Sequence, residues 1–436
     1  MATADPDTDP TPTSKPGAAG STTAGVDLED PPAASTTRRD LLVLVGLTLA
    51  FRLPTFFAPT HLTFDDGVFG ASAVAMRNGG LPFRDVFSSQ GPLFLPLVWI
   101  ADTLGLHTVN GPRLLGLASG VGLVVALYLA GRLVADREGG LIAGALGAFT
   151  GSSLAVTGSI AADGTAIALA TAAFLLALRY RKAPSTGRAV ATGAVLGAAL
   201  MVKAIVLPLA LPIGLVLLWG RRPKHWFAAV GASVAVGLGL SLLWGFADVW
   251  DQSVTYHLEA PGTASPGSNA NKILSTYTSR DLLLCVGFVV AATAAVLGRR
   301  RPADDDRAAV AVPIPILLWT WLGAVVVLLV MENPMWRPHV SSLVPASALL
   351  IAWYRPPWKP LLAAGAVATV VMVLTYAGPT LLWAGDYEGD EAVVVDALRA
   401  LPEGALAISD EPGQVWRAGG RTPDRLVDAS SLLTDS

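Results

Sequence analysis

Charge is scarce in this chain. Only 14% of its 436 residues are Asp, Glu, Lys or Arg, while 53% are hydrophobic; soluble domains carry about 25% charged residues. That excludes an ordinary soluble domain and describes an all-α polytopic membrane protein. The net charge is −3 with no basic block, so nothing points to nucleic acid as a partner. Cysteine is nearly missing as well. Cys285 is the single one, which excludes an internal disulfide, and its place in an apolar run argues against a reactive role. There is no Walker loop, dinucleotide fingerprint, HExxH or CxxC pair. An enzyme of this composition needs a substrate that the membrane itself carries.

Residues 1–37 are rich in Thr, Pro, Ala, Gly and Asp, show no apolar periodicity and read as a disordered tail without the basic and apolar opening of an ordinary signal peptide. Arg38 and Arg39 precede an apolar run from Leu41 to about Phe57, so the positive-inside rule places the tail in the cytoplasm and sends the first span outward. Further spans are expected at about Arg113–Val134, Gly139–Ile160, Gly164–Tyr180, Arg188–Ala204, Ile205–Gly220, His225–Phe246, Asp281–Gly298, Ala311–Met331, His339–Tyr354 and Pro360–Trp383. The apolar piece Pro92–Leu106, about 15 residues long and interrupted by Pro96 and Asp102, is too short to span. Read as an interfacial or re-entrant helix, it leaves the basic connections at Arg132 and Arg137, Arg181 and Lys182, Arg221 to Lys224, Arg299 to Arg301, and Arg355 and Lys359 all cytoplasmic. The expectation is a transmembrane domain of about eleven spans over residues 38–384 in the cytoplasmic (plasma) membrane, with the N-terminus inside and the C-terminus outside.

Between the first two spans lies a polar island on the external side, HLTFDDGVFGASAVAMRNGGLPFRDVFSSQ, His61 to Gln90. It holds Asp65, Asp66, Arg77, Arg84 and Asp85. Val68, Phe69, Ala71, Ala73, Val74 and Met76 suit a surface-lying helix ended by Asn78-Gly79-Gly80. Asp65 and Asp66 then stand in its first turn, where the helix dipole favours negative charge. They either cap the helix or supply chemistry, and the pattern alone leaves both open.

Asp163 stands at an external junction of two spans, in TGSIAADGTAIALATAAFLLALRYRK, and either caps a helix or faces a wet cavity. Lys203 belongs to the same side or snorkels toward it. The loop from Ala247 to Arg280 carries Trp250, Tyr256, His257, Lys272, Tyr277 and Arg280 among Gly, Pro, Ser and Asn. Such aromatics among hydrogen-bonding groups suit a carbohydrate, whose ring face stacks while its hydroxyls need partners; they equally suit an interfacial belt. Residues 385–436 read as a helix near Glu391–Leu401, a turn at Pro402–Gly404 and a strand at Ala405–Ser409, the beginning of a small external α/β tail. About 50 residues bury little core alone, so the tail is expected to pack on the membrane domain or to be an abbreviated module.

The stretch FDDGVFGASAVAMRNGGLPFRDVFSSQGPLFLPL resembles the first external loop of GT-C glycosyltransferases of the protein O-mannosyltransferase and aminoarabinose transferase type, which carry an acidic pair, a Gly-Leu-Pro-aromatic-x-Asp stretch and a Pro-Leu helix. The similarity continues through RLLGLASGVGLVVALYLAGRLV, Asp163, GAVLGAALMVKAI and RPHVSSLVPASALL, over roughly residues 40–384. It implies a GT-C transmembrane core with loop helices over the site, a monosaccharide donor linked to a polyprenyl phosphate, and a glycan, lipid or protein acceptor at the outer face of the membrane. Carried over position by position, Asp65 matches the catalytic acid, Asp66 its neighbour and Asp163 the second acid. Many relatives have Lys where this chain has Gln90, so the lipid phosphate contact is expected to be weaker here or to fall to Lys203, Lys272, Arg337 or His339. Arg84, Asp85, Tyr256 and His257 complete the expected binding groups.

A polyprenyl phosphate is already a good leaving group, so the chemistry needs a base for the acceptor hydroxyl and cations for the phosphate. Asp65 would take the proton while Asp163 orients, with inversion at the anomeric carbon. A divalent metal bridging Asp65 and Asp163 fits the preference of hard cations for oxygen, although no His-rich cluster accompanies them. The rival from another class is a transporter or lipid-linked glycan flippase with Asp163 and Lys203 as coupling residues; a membrane scaffold is the third. No internal repeat is present, which argues against transport, and an acidic pair in a loop instead of mid-span argues for an enzyme.

Overall fold

The computed structural model describes residues 32–57, 63–259, 265–297, 310, 312–355, 389–402 and 404–428, with isolated positions between 360 and 371. Met1–Arg39 and Asp40–Ser436 are separate compact units. Residues 1–31 of the expected disordered tail and most of the expected span Pro360–Trp383 lie outside the described residues, while residues 32–37 of that tail already belong to the first helix. Regular structure is helical throughout the described residues, where extended pairing is confined to the isolated bridges Pro82–Val86 and Leu406–Arg421. Among the described residues of the tail no strand forms: where one was expected at Ala405–Ser409, one bridged residue stands.

The helices run in order α1 (Pro32–Phe57), α2 (Phe64–Arg77), α3 (Phe94–Leu104), α4 (Leu114–Val134), α5 (Arg137–Phe149), α6 (Gly151–Thr157), α7 (Ala162–Lys182), α8 (Thr186–Leu200), α9 (Ala210–Trp219), α10 (Pro223–Trp244), α11 (Phe246–Trp250), α12 (Tyr256–Glu259), α13 (Pro266–Arg280), α14 (Leu282–Val296), α15 (Ile314–Met331), α16 (Val344–Tyr354), α17 (Gly389–Arg399) and α18 (Pro412–Arg417). Among the described residues, five segments are long and apolar enough to cross a membrane: Thr36–Phe57, Gly111–Val134, Ala162–Lys182, Pro223–Trp244 and Ile314–Met331. Two bent pairs, α5 with α6 at 62° and α13 with α14 at 109°, bring the number to as many as seven. Hydropathy counts apolar length; of the remaining expected spans within the described residues, Arg188–Ala204 holds the 15-residue helix α8, and two more are apolar without being unbroken helices. Ile205–Gly220 begins as a 3-10 turn around Pro208, and His339–Tyr354 as the 3-10 turn Arg337–Leu343. At the α5–α6 break, Asp281 accepts from the Ser152 amide at 2.9 Å and from its hydroxyl, supplying partners to a helix start inside the bundle.

α7 and α16 form the centre, with few exposed positions along either. Polar ties close the end of the bundle away from the island: Asp40 accepts both nitrogens of the Arg137 fork at 2.7 Å and the Tyr128 hydroxyl at 2.9 Å, and Arg355 pairs with Asp136 and Glu138.

At the opposite end, α2 forms where its signals place it, with Thr63 and Asp66 making a reciprocal capping box and Asn78 ending the helix. It is not surface-lying: nearly every residue from Asp66 to Met76 is buried. α3 explains part of this. Phe69 packs edge-on against Phe94 with ring centroids 4.6 Å apart, and Arg77 forks onto the fully buried Asp102 at 2.7 and 3.2 Å. The piece Pro92–Leu106 is thus an 11-residue helix clamped to α2.

Candidate active site

Two helix N-termini and two connecting segments meet beside α2. Asp163, in the first turn of α7 and 1% exposed, accepts from Lys203 Nζ at 2.7 Å through Oδ2. Its other oxygen, Oδ1, is buried without a hydrogen-bond partner, and His339 Nε2 lies 3.9 Å from it. The far nitrogen of that imidazole, Nδ1, is 2.8 Å from Glu332 Oε1. α13 holds the segment carrying Glu332 in place: Asn269 Nδ2 donates to the carbonyls of Val330 and Glu332, and Lys272 Nζ to that of Met335 at 2.6 Å.

Asp65 joins this cluster from α2. It is half-buried, and burial pushes its pKa up to about 6; Lys203 and His339 pull it down while Asp163 and Asp66 push it up. Desolvation, and then the charges of Lys203 and His339, lower the pKa of His257, which puts α12 in the same field.

Asp66, one residue on, is in a different situation. Oδ1 accepts from the Ile160 amide at 2.9 Å and from Arg113 Nε at 3.4 Å; Oδ2 accepts from Arg113 Nη2 and from the Thr63 amide, both at 3.2 Å. Asp66 and Arg113 are each 2% exposed in their side chains. This carboxylate joins α2 to the start of α4 and to the junction before α7, and both its oxygens are in use.

The loop after α2 is fastened to the chain that carries Lys203. Gly91 N donates to Val202 O at 3.1 Å and Leu93 N to Met201 O at 2.8 Å. A Cβ on Gly91 would stand 2.3 Å from Met201 O, so glycine alone permits that approach. From the other side Gln252 takes the Ser88 amide and donates to Phe83 O, while Ser253 donates to Gln90 O at 2.8 Å. Both sit in a π-helical turn, Asp251–Thr255, a distortion frequent at functional sites.

The family model described as dolichyl-phosphate-mannose-protein mannosyltransferase matches residues 89–246, roughly a third of the chain. Among solved structures, ArnT from Cupriavidus metallidurans in the apo state is 13% identical with a TM-score of 0.60, covering 93% of this chain and 76% of that one. The same protein bound to undecaprenyl phosphate gives 16% and 0.56, covering 92% and 77%. The oligosaccharyltransferase of Archaeoglobus fulgidus tethered to an acceptor peptide gives 12% and 0.52, covering 90% and 64%. The chain thus shares the GT-C fold of these membrane glycosyltransferases. No curated protein matches it by sequence.

In this fold the other expected site residues divide by position. Asp85 Oδ2 accepts from the Leu81 amide at 3.0 Å and closes a turn, and Arg84 is exposed with its carbonyl accepting from Arg425 at 2.9 Å. Neither has a contact with the Asp163 cluster. Gln90 spends its amide on Ser89 Oγ at 3.2 Å. Lys272 is committed to a backbone carbonyl, Arg337 is exposed, and Tyr256 packs edge-on against Phe87 at 5.6 Å. Glu332 and Arg113 were not singled out by sequence reasoning. Each stands at the border of an apolar run, where charges are usual, so nothing local marked them.

Among the described residues no three His, Cys, Asp or Glu side chains gather as a metal's ligands. Between Asp65 and Asp163 the available cation is the Lys203 ammonium, already on Asp163 Oδ2. This donor set does not fit the expected metal bridge, and no step below is routed through one.

Proposed function

We propose that the protein is a glycosyltransferase that moves a monosaccharide, hexose or pentose, from a polyprenyl-phosphate donor to a hydroxyl of a cell-envelope glycan, lipid or protein, at the outer face of the cytoplasmic membrane. The observation that carries this reading is the Asp65 carboxylate, half-buried at a helix N-terminus with its pKa raised to about 6, inside a cluster that also offers the Lys203 ammonium. A base poised near neutrality holds its proton-accepting form at working pH while keeping useful basicity.

In the proposed reaction Asp65 accepts the acceptor's O–H proton as that oxygen forms a bond to the anomeric carbon. The bond from that carbon to the phosphate oxygen breaks with inversion, and its electron pair leaves on the polyprenyl phosphate. Lys203 supplies positive charge for the departing phosphate, the role that Gln90 cannot fill. Asp163 holds Lys203, and its unpartnered Oδ1 is available to a substrate hydroxyl. Two relatives by fold support these partners: ArnT has been captured with undecaprenyl phosphate, and the archaeal oligosaccharyltransferase with an acceptor peptide.

The test is sugar transfer by purified protein from a panel of labelled polyprenyl-phosphate sugars, with donor binding measured separately. Asp65→Asn should lower turnover by roughly 100-fold or more with donor binding retained. Full transfer by that variant would take the base away from Asp65, and transfer by no donor in the panel would favour the transport reading.

A further inference from the structure

The C-terminal segment has no part in the chemistry above, yet it bears on the helix that carries Asp65. A Cβ built on Gly67 would stand 2.5 Å from Gly413 N, and one on Gly70 would stand 2.3 Å from the Trp416 indole, so α18 lies directly against the α2 backbone. Trp416 is 4% exposed, and the Arg417 guanidinium covers its ring at 4.6 Å from the centroid. Two long-range bonds fasten the same segment. Arg417 Nη1 donates to Asn110 Oδ1 at 2.9 Å, just before the turn that carries Arg113, and Arg425 Nη2 donates to Arg84 O at 2.9 Å in the loop after α2.

Each helical residue advances about 100°, so Gly67 and Gly70 lie about 200° and 140° around α2 from Asp65. The segment thus presses on the back of the helix whose front presents Asp65 and, four residues on, Phe69 against α3. Asp66 with Arg113 holds the N-terminal end of α2, and Arg77 with Asp102 the C-terminal end. Between those anchors the glycines offer no side chain, and the indole fills the groove they leave.

We propose that the C-terminal segment is a clamp on α2 and that Trp416 is a positioning residue, holding Asp65 against Lys203 and Asp163 for the transfer reaction, a role that rests on the glycosyltransferase reading. Loosening the clamp lets α2 retreat from the cluster. Asp65 is then better hydrated and further from the charges that face it from other elements, those of Asp163, Lys203 and His339, while Asp66 moves with it.

The experiment uses the full-length protein and two readouts. In transfer assays Trp416→Ala should lower kcat about tenfold with donor KM nearly unchanged, and Trp416→Phe should restore most of it. Independently of transfer, a hydrophobic carbodiimide that labels protonated carboxyls, followed by peptide mass spectrometry, reports the midpoint of Asp65 titration; Trp416→Ala should lower it by about half a pH unit or more. Gly70→Ala drives a methyl into the indole and should depress kcat, and Trp416→Leu in the same chain should relieve that loss. This pair decides the matter if Trp416→Ala does not fold. A folded Trp416→Ala protein with unchanged kcat and labelling midpoint, or a Gly70→Ala loss that Trp416→Leu does not relieve, overturns the clamp. If the wild-type protein transfers no sugar while the midpoint still moves, the function is wrong and the clamp stands; transfer with an unmoved midpoint sinks the clamp alone.

Discussion

The N-terminus of α2 and the N-terminus of α7 each bury an aspartate that accepts hydrogen bonds from one cationic side chain, and the two differ in what is left over. Asp66 spends both oxygens, on Arg113, the Thr63 and Ile160 amides. Asp163 gives one oxygen to Lys203 and keeps Oδ1 buried and unpartnered near His339. A buried acceptor without a partner costs roughly 1–3 kcal/mol. Water or a ligand group can supply the missing partner. The saturated pair ties elements together; the unsaturated one, with Asp65 beside it, is where the chemistry is proposed.

The largest effect that separates the two is on stability. Asp66→Ala takes the carboxylate away from the buried Arg113 guanidinium, which keeps the Thr55 carbonyl, and should cost about 3–5 kcal/mol, read from thermal unfolding of the purified protein; a loss under about 1 kcal/mol would make Asp66 as dispensable as a surface charge. Lys203→Met tests the other pair through the ligand, because losing a charge-assisted contact to a phosphate should weaken donor binding by about 1.5–3 kcal/mol. Arg337→Ala, at an exposed position, should change it far less, and equal losses at both would move the phosphate site.

Acidity sharpens the comparison next. With Asp65 as base and its pKa at about 6, turnover should fall as pH drops through 6, approaching tenfold per unit below it. Stability moves the opposite way. Because the folded pKa lies above the ordinary value of 3.8, the folded state binds more protons between the two, and Asp65 destabilises the protein above that window by on the order of 2–3 kcal/mol. Asp65→Asn should therefore melt higher than wild type at pH 7, and the gap should close as pH falls from about 6 toward 3.8. A pH-independent gap would mean that the mutation acts through packing. The smallest effect belongs to Asp85: removing the carboxylate that closes the Leu81 turn should cost about 0.5–1.5 kcal/mol and leave donor affinity intact, whereas a donor-binding loss there would return Asp85 to the site.

Much of the island was legible because its signals are local. The cap at Thr63, the apolar positions from Val68 to Met76 and the stop at Asn78 all act within a turn or two of the backbone, and α2 begins and ends where they say. The short helix α3 was legible from length alone. The roles of Asp65 and Asp66 were not. Both fit the first turn of a helix, and what divides them is Arg113 and the Ile160 amide, 47 and 94 residues away. The buried state of α2 escaped for the same reason, since its back is covered by Trp416 at the far end of the chain. The expected strand at Ala405–Ser409 read an apolar alternation that finds only Arg421 to pair with.

Composition and the order of apolar and polar segments specify the class and the material: a helical membrane protein with an island of acids and cations between apolar runs. Lipid admits no unsatisfied backbone, and long continuous apolar runs satisfy it as helices whatever their tertiary contacts. Tertiary contacts alone settle which carboxylate is bound up and which is left with an oxygen to spare. Hydrogen-bond saturation depends on where distant donors arrive, and neighbours as close as Asp65 and Asp66 point to opposite answers because successive helical residues face different parts of the fold.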